Sequence, residues 1–359
     1  MIVLNKPLTP DLTKLTAYLE QVNESGWYTN FGPLHEQLTK RLEDFLGVQN
    51  LLLVSNGTLA IQVACKVLNI NAAITTPFSF VATTSSLLWQ GISTAFSDID
   101  INSYNLCPVA LDLALTKDNN YDGIVATHVY GNPCNVDDIA DVANKYNKKV
   151  VYDAAHAFGV KVGNKSVLNF GDASTLSFHA TKVFHTVEGG AIVFKNKADF
   201  DIAKRLINFG IQANGILGEP GINAKLNEYQ CAVGLTLLDE IDAVLEHRSK
   251  LFELYRNKLK NVVAIPEWHS QASLNGAYMP IYLECPTTQN RVIEALAVKH
   301  IQSRRYFSPS LDIAYPQLQS FGCANSQKIA GGAICLPLHN YMTADDITSV
   351  TSIIREVLK

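Results

Sequence analysis

The chain has 359 residues, of which 47% are hydrophobic and 17% charged, enough apolar material for a large core in two domains and too much for extended disorder. A net charge of -4 provides no basic surface for neutralising phosphates, which excludes a nucleic-acid binder of that kind. Its seven cysteines are scattered and never form a C-x-x-C pair, so reduced thiols are expected, with neither a disulfide framework nor a metal site.

Residues 1–8 lack a basic start followed by a long apolar core, and no uncharged apolar run reaches the roughly 18 residues of a membrane span. A cytoplasmic protein away from the membrane is expected. Pro10 opens a segment in which Leu12, Leu15, Leu19 and Val22 recur at helical spacing, predicting an amphipathic helix that ends at Ser25-Gly26. The stretch from Gly26 to Pro33 mixes aromatics with turn formers and reads as a connector or a binding loop. A helix over Leu34–Leu46, closed by Gly47, follows.

Seven short apolar runs come next: 51–55, 72–76, 94–96, 123–127, 150–152, 175–178 and 191–194. Helix-like segments separate most of them. This alternation predicts an α/β fold with a mainly parallel seven-stranded sheet and helices on both faces. Ligands collect at the C-terminal ends of the strands in such sheets. A long helical stretch from Glu228 to about Val262 is expected to bridge to a smaller C-terminal α+β unit, dividing the chain into domains at 1–240 and 241–359. That unit reads as a strand at 278–283, a helix at 288–300, a polar loop Arg304-Arg305-Tyr306-Phe307, and a closing helix from Thr343, with Asp346 in its first turn.

Lys182 stands out within this pattern. It follows an apolar run, lies between His179 and His185, and precedes a Glu188-Gly189-Gly190 turn. Most lysines lie on a solvated face. Small residues around this one (Ala180, Thr181, Gly189, Gly190) let a bound molecule approach the amine. An amine among apolar neighbours loses hydration and becomes a nucleophile able to form a Schiff base, as pyridoxal 5'-phosphate requires. That cofactor also needs a carboxylate for its ring nitrogen, a phosphate cradle and a flat surface for its ring.

Candidates for each part stand at successive strand ends. Gly57 and Thr58 open a helix after the first run, either as a plain cap or as an anion cradle. Phe80 closes the second run, as core or as a stacking ring. Asp153 ends a buried-looking strand, where a carboxylate needs a cap or a cation. His156 follows three residues later, and Ser177 adds a hydroxyl five residues before Lys182. Singly each is ambiguous; in this order at the ends of one sheet they point to a pyridoxal phosphate site.

These residues resemble the DegT/StrS-type sugar aminotransferases, of the aspartate aminotransferase fold (type I). The resemblance takes in Trp27 to Pro33, Ser55 to Thr58, Thr76 to Thr83, His128 to Gly131, Asp153 to His156, Ser177 to Lys182, Glu188 to Gly190 and Gly221 to Lys225. It implies that Lys182 carries the cofactor, Asp153 meets the ring nitrogen, His156 approaches the phenolic oxygen, Phe80 stacks on the ring, and Gly57, Thr58 and Ser177 hold the phosphate. It further implies a homodimer with shared sites, Asn223 reaching into the neighbour's site with Lys225. Asn30, His185, Lys225, Arg305 and Tyr306 are the implied substrate contacts, and no metal is expected.

Relatives with histidine in place of the lysine are sugar dehydratases, so Lys182 implies transamination, with L-glutamate as donor and pyridoxamine 5'-phosphate as the intermediate form. The Arg304–Phe307 segment resembles members that aminate carbon 4 of a dTDP-linked 4-keto-6-deoxy sugar, giving dTDP-4-amino-4,6-dideoxyglucose, a precursor type used in O-antigen and lipopolysaccharide. A nucleotide-sugar 3-aminotransferase or a sugar dehydratase is the alternative. Two departures are Ala180 in place of a common proline and Asp312 where many relatives have histidine.

Overall fold

A computed structural model describes residues 1–213 and 215–359. Twelve strands are formed by the described residues: β1 (Leu51–Val54), β2 (Ala72–Thr75), β3 (Ser93–Phe96), β4 (Gly123–Thr127), β5 (Lys149–Asp153), β6 (Lys161–Val162), β7 (Lys165–Ser166), β8 (Ala173–Ser177), β9 (Gly190–Phe194), β10 (Met279–Tyr282), β11 (Gln319–Ser320) and β12 (Ala333–Leu336). The helices that pack on them are α1 (Leu12–Ser25), α2 (Pro33–Leu46), α3 (Gly57–Val67), α4 (Val81–Trp89), α5 (Pro108–Lys117), α6 (Val136–Tyr146), α7 (Lys197–Leu206), α8 (Glu228–Leu238), α9 (Ile241–Leu259), α10 (Pro286–Val298), α11 (Leu311–Ala314), α12 (Ala324–Gly332) and α13 (Ala344–Val357).

The main sheet has the order β1-β9-β8-β5-β4-β2-β3-β11, and every neighbouring pair is parallel except the two made by β9. All seven expected strands are present. The two-residue β11, from the C-terminal part of the chain, adds an eighth at the edge beside β3. The strands are continuous apolar runs because both faces are covered. In β1, Leu51 and Leu53 pack with α1, α2 and α8, whereas Leu52 and Val54 pack with α3 and α7. In β4, Val125 joins the α3 side while Ile124 and Ala126 pack under α5 and α6. This period of two puts alternate side chains into different cores, each fully buried valine, leucine or isoleucine contributing about 1.5–3 kcal/mol.

The helical stretch expected from Glu228 to about Val262 is two helices. The chain leaves helical geometry at Glu240 (φ -115°, ψ 3°), beside an Asp239 carboxylate drawn to Arg41 at 2.8 Å and Lys14 at 3.5 Å. Ile241 and Val244 of α9 belong to the core under the main sheet, while Leu251, Phe252, Tyr255 and Leu259 join a second core with β10, β12, α10 and α13. The N-terminus also meets this second core: Ile2 bridges to Ile301, and Leu338 N donates to Leu4 O at 3.2 Å. The predicted cap of the last helix forms as a reciprocal pair, Thr343 and Asp346 each bonding the other's backbone N–H.

The Trp27–Gly32 loop is fixed by a residue far along the chain. Glu228, buried at the start of α8, accepts from Leu34 N at 2.7 Å and His35 N at 2.8 Å, capping α2 from outside.

Candidate active site

A cleft of about 350 Å3 opens at the C-terminal ends of β1, β2, β5 and β8, closed on its far side by residues of the C-terminal unit. One end is built by the turn from β1 into α3. Asn56 caps this helix, accepting from Leu59 N at 2.8 Å, and the amides of Gly57 and Thr58, in the first turn, have no partner inside the helix. A Cβ on Gly57 would lie 2.9 Å from Ser177 Cβ, so only glycine lets the helix start and the end of β8 approach this closely. Backbone amides and the hydroxyls of Thr58 and Ser177 thus share one wall, a set of donors suited to a phosphate.

Lys182 is carried by the loop between β8 and β9, which folds back on itself: Phe178 N donates to Gly189 O at 2.8 Å, Thr186 N to Phe178 O at 3.0 Å, and Lys182 N to His179 O at 2.8 Å. Phe178 and Phe184, with ring centroids 5.0 Å apart, anchor the two sides of the loop in the core. The amine lies within the cleft. Burial lowers its basicity below the usual lysine range, while the Asp153 carboxylate, and then Tyr306, pull the other way.

Asp153, at the end of β5, is 6% exposed. Its Oδ2 accepts from Thr83 Oγ1 at 2.6 Å and its Oδ1 from Ala155 N at 3.0 Å. Both oxygens are held, and among the described residues no cation forms an ion pair with them. His156, next on the same turn, is buried, and burial followed by the charge of Lys182 holds it well below the ordinary histidine range. Its Nδ1 accepts from Tyr130 N at 3.2 Å. A neutral imidazole that accepts at Nδ1 carries its proton on Nε2. Tyr130 reaches this position with φ of 60°, a left-handed conformation that costs a bulky residue on the order of 1–3 kcal/mol.

The far wall comes from the C-terminal unit: Tyr278, Arg304, Tyr306 and Phe307. Tyr278, Thr83, His179 and Glu188 line or support the cleft without a sequence signal for it, and Arg304 does so as a member of the Arg304–Phe307 segment. Of the adjacent arginines, the one expected as a substrate contact, Arg305, is held outside the cleft by Gln289 Oε1 at 2.9 Å and by Asn290. Arg304 lies over the Tyr306 ring at 5.0 Å, lines the cleft and has no carboxylate partner among the described residues. Phe80, 52% exposed, lines the opposite wall.

The remaining expected contacts lie outside this chain's cleft. His185 is buried with both ring nitrogens occupied, Nε2 by Leu8 O at 3.0 Å and Nδ1 by Val187 N at 3.2 Å, which leaves neither for a ligand. Asn30 is exposed on the Trp27–Gly32 loop. Asn223 is also exposed, and its Oδ1 accepts from Lys225 Nζ at 2.8 Å, while Asn208 Oδ1 takes the same amine at 2.9 Å. Among the described residues no group of three or more histidine, cysteine, aspartate or glutamate side chains could hold a metal ion.

Residues 11–355 match the DegT/DnrJ/EryC1/StrS aminotransferase family. The chain belongs to that family. It is similar to a dTDP-4-amino-4,6-dideoxy-D-glucose transaminase of Shigella dysenteriae, 39% identical over 99% of both chains. A transaminase of the same name from Escherichia coli is 34% identical over 98% of both. Among solved structures it resembles DesI in the presence of its TDP-sugar product, with a TM-score of 0.91 and 28% identity over 99% of this chain and 92% of the other.

Like the rest of this aminotransferase family, the chain is an enzyme that depends on pyridoxal phosphate. Its residues fit that cofactor. The cleft holds an amine with depressed basicity, a carboxylate with no cation paired to it among the described residues, and a cradle of backbone amides and hydroxyls that a Cβ on Gly57, 2.9 Å from Ser177 Cβ, would force apart. The described residues include no helix long and apolar enough to cross a membrane.

Proposed function

We propose that this enzyme moves the amino group of L-glutamate to a nucleotide-linked keto-deoxysugar, and that the acceptor is dTDP-4-keto-6-deoxyglucose, giving dTDP-4-amino-4,6-dideoxyglucose. The observation that carries the reading is the meeting of Lys182 and Asp153 in one cleft with Gly57, Thr58 and Ser177. The choice of sugar is supported by the names of the Shigella and Escherichia relatives, similar over nearly their whole length.

When bound, pyridoxal phosphate supplies an electrophilic aldehyde and a cationic ring that withdraws electrons from the carbon bearing the amino group. The Asp153 carboxylate, fixed by Thr83 and the Ala155 amide, would meet the ring nitrogen. His156, whose Nδ1 is taken by Tyr130 N, would donate from Nε2–H to the phenolic oxygen. Gly57, Thr58 and Ser177 would bind the phosphate, and Phe80 would cover the ring. Lys182 Nζ would hold the cofactor, and as a free amine of reduced basicity the same nitrogen is suited to taking the donor's α proton. Arg304 and Tyr306 face the anionic substrates. In the proposed homodimer, Asn223, Lys225 and the exposed Asn30 serve the neighbouring protomer's cleft. The enzyme works in the cytoplasm.

A panel of dTDP-, UDP- and GDP-linked 3-keto and 4-keto sugars, each incubated with the holoenzyme and L-glutamate and read by mass spectrometry, tests this. The expected product is the 4-amino dTDP sugar. Nitrogen transfer only to a 3-keto sugar, or to none, overturns the assignment.

A further inference from the structure

Four consecutive residues of the C-terminal unit, Asn275-Gly276-Ala277-Tyr278, run against the floor of the cleft, and each is held from a different direction. Asn275 Nδ2 donates to His156 O at 2.9 Å and Phe158 O at 3.0 Å, and its Oδ1 accepts from Ala277 N at 3.0 Å. Gly276 has φ of 57°, and a Cβ there would lie 2.5 Å from Arg248 O, so the turn is closed to other residues.

Arg248 of α9 is 4% exposed and has no carboxylate partner among the described residues. A buried guanidinium without a counter-charge is costly. What it has are three backbone carbonyls: Nε donates to Gly276 O at 3.0 Å, Nη2 to Ala277 O at 3.2 Å and to Leu338 O at 3.0 Å. Burial lowers its pKa to about 10, so it stays charged at neutral pH. The charge is therefore spent on fixing the backbone immediately before Tyr278.

The side chain so placed meets the reactive amine. Lys182 Nζ donates to Tyr278 Oη at 3.4 Å, its one polar side-chain partner among the described residues. The Tyr278 ring packs on His156 at 4.6 Å between centroids and on Tyr306 at 5.3 Å. The distance is long for a hydrogen bond, as such contacts often are before ligands bind.

We propose that Tyr278 is a positioning residue for Lys182: its hydroxyl takes one N–H of the free amine, so that Nζ keeps its lone pair aimed into the cleft for the donor's α proton. No bond forms or breaks at Tyr278. The role rests on the aminotransferase reading of the cleft and names a residue that acts through Lys182.

The test compares the holoenzyme with Tyr278→Phe, which keeps the ring and its packing on His156 and Tyr306, and with Arg248→Lys, which keeps the charge and loses the fork. The first readout is the pH titration of the visible band of the lysine-bound cofactor, taken without substrate. Its midpoint is expected to move by about half a pH unit or more in Tyr278→Phe. The second is single-turnover conversion with L-glutamate alone, expected to slow roughly tenfold or more with the half-saturating glutamate concentration unchanged. Arg248→Lys is expected to move both in the same direction by less. A Tyr278→Phe enzyme with wild-type midpoint and wild-type rate overturns the proposal and leaves Tyr278 as packing alone. A wild-type enzyme that does not convert glutamate contradicts the donor assignment instead, and the same single-turnover comparison with another amino-acid donor then decides for Tyr278.

Discussion

Thr83 donates its hydroxyl to Asp153 Oδ2 at 2.6 Å, linking the first turn of α4 to the end of β5. With Oδ1 taken by the Ala155 amide, the carboxylate cannot rotate without losing a bond. Thr83→Val removes a hydrogen bond to a charged group, about 1.5–3 kcal/mol, and is expected to weaken pyridoxal phosphate binding by roughly 10- to 100-fold. Thr83→Ser should restore it. Fluorescence titration of the cofactor-free protein measures both. Equal affinity in Thr83→Val and the wild type would refute the link.

Lys182→Ala takes away the only amine lining the cleft among the described residues. Turnover should fall by at least about 100 to 10,000-fold, the span of a positioned general base, and borohydride treatment followed by mass spectrometry should no longer find cofactor joined to the chain. A variant with normal rates would end the assignment of Lys182.

The neighbouring arginines are expected to behave oppositely. Arg304 faces the cleft without a carboxylate partner, whereas Arg305 is held by Gln289 and Asn290. Arg304→Gln should raise KM for an anionic substrate by roughly tenfold or more, as loss of a charge-assisted contact implies. Arg305→Gln should stay within about twofold of the wild type in KM. Steady-state kinetics on the two variants in parallel provides the check, and the reverse ranking would reject this placement of the loop.

Three of the five buried histidines suffice to predict an acid limit to stability. His35 is lowered to about 4 by burial and then by Lys204, His128 to about 3 by burial and then by His269, and His156 well below the ordinary value. Well above pH 6.5 these groups are neutral in both folded and unfolded chains and contribute nothing to pH dependence. As pH falls below 6.5 the unfolded chain gains protons that the folded chain refuses, so each histidine costs about 1.4 kcal/mol per pH unit. Urea midpoints should vary little from pH 8.5 to 7.5 and fall between 6.5 and 5.5. A midpoint that rises over the second interval would contradict neutral burial.

Much of this was legible in the chain itself. Both faces of the sheet are covered, so its strands read as apolar runs, and Asp153 and Lys182 announce themselves as charged groups at the ends of such runs. What stayed hidden depends on contacts distant in sequence. Which of Arg304 and Arg305 faces inward is set by backbone pairing of Arg304 with Cys335, at 2.8 and 3.2 Å, and no local pattern encodes it. Tyr278 looks like the first residue of a strand, and its place in the cleft follows from Arg248 thirty residues earlier. Glu228 reads as an ordinary first-turn acid of α8, although its oxygens cap α2. The break at Glu240 leaves no local mark, because apolar spacing continues across it while the side chains change cores.

Helix α9 lends its first turns to one core and its later turns to the other, and residues 2–4 return to the second core from the opposite end of the chain. Exchanging the C-terminal portion between relatives at a crossover inside α9 would join half-interfaces that have never been fitted to each other. A chimera designed to import another acceptor preference therefore calls for seams placed ahead of Ile241, with the extreme N-terminal residues transplanted alongside.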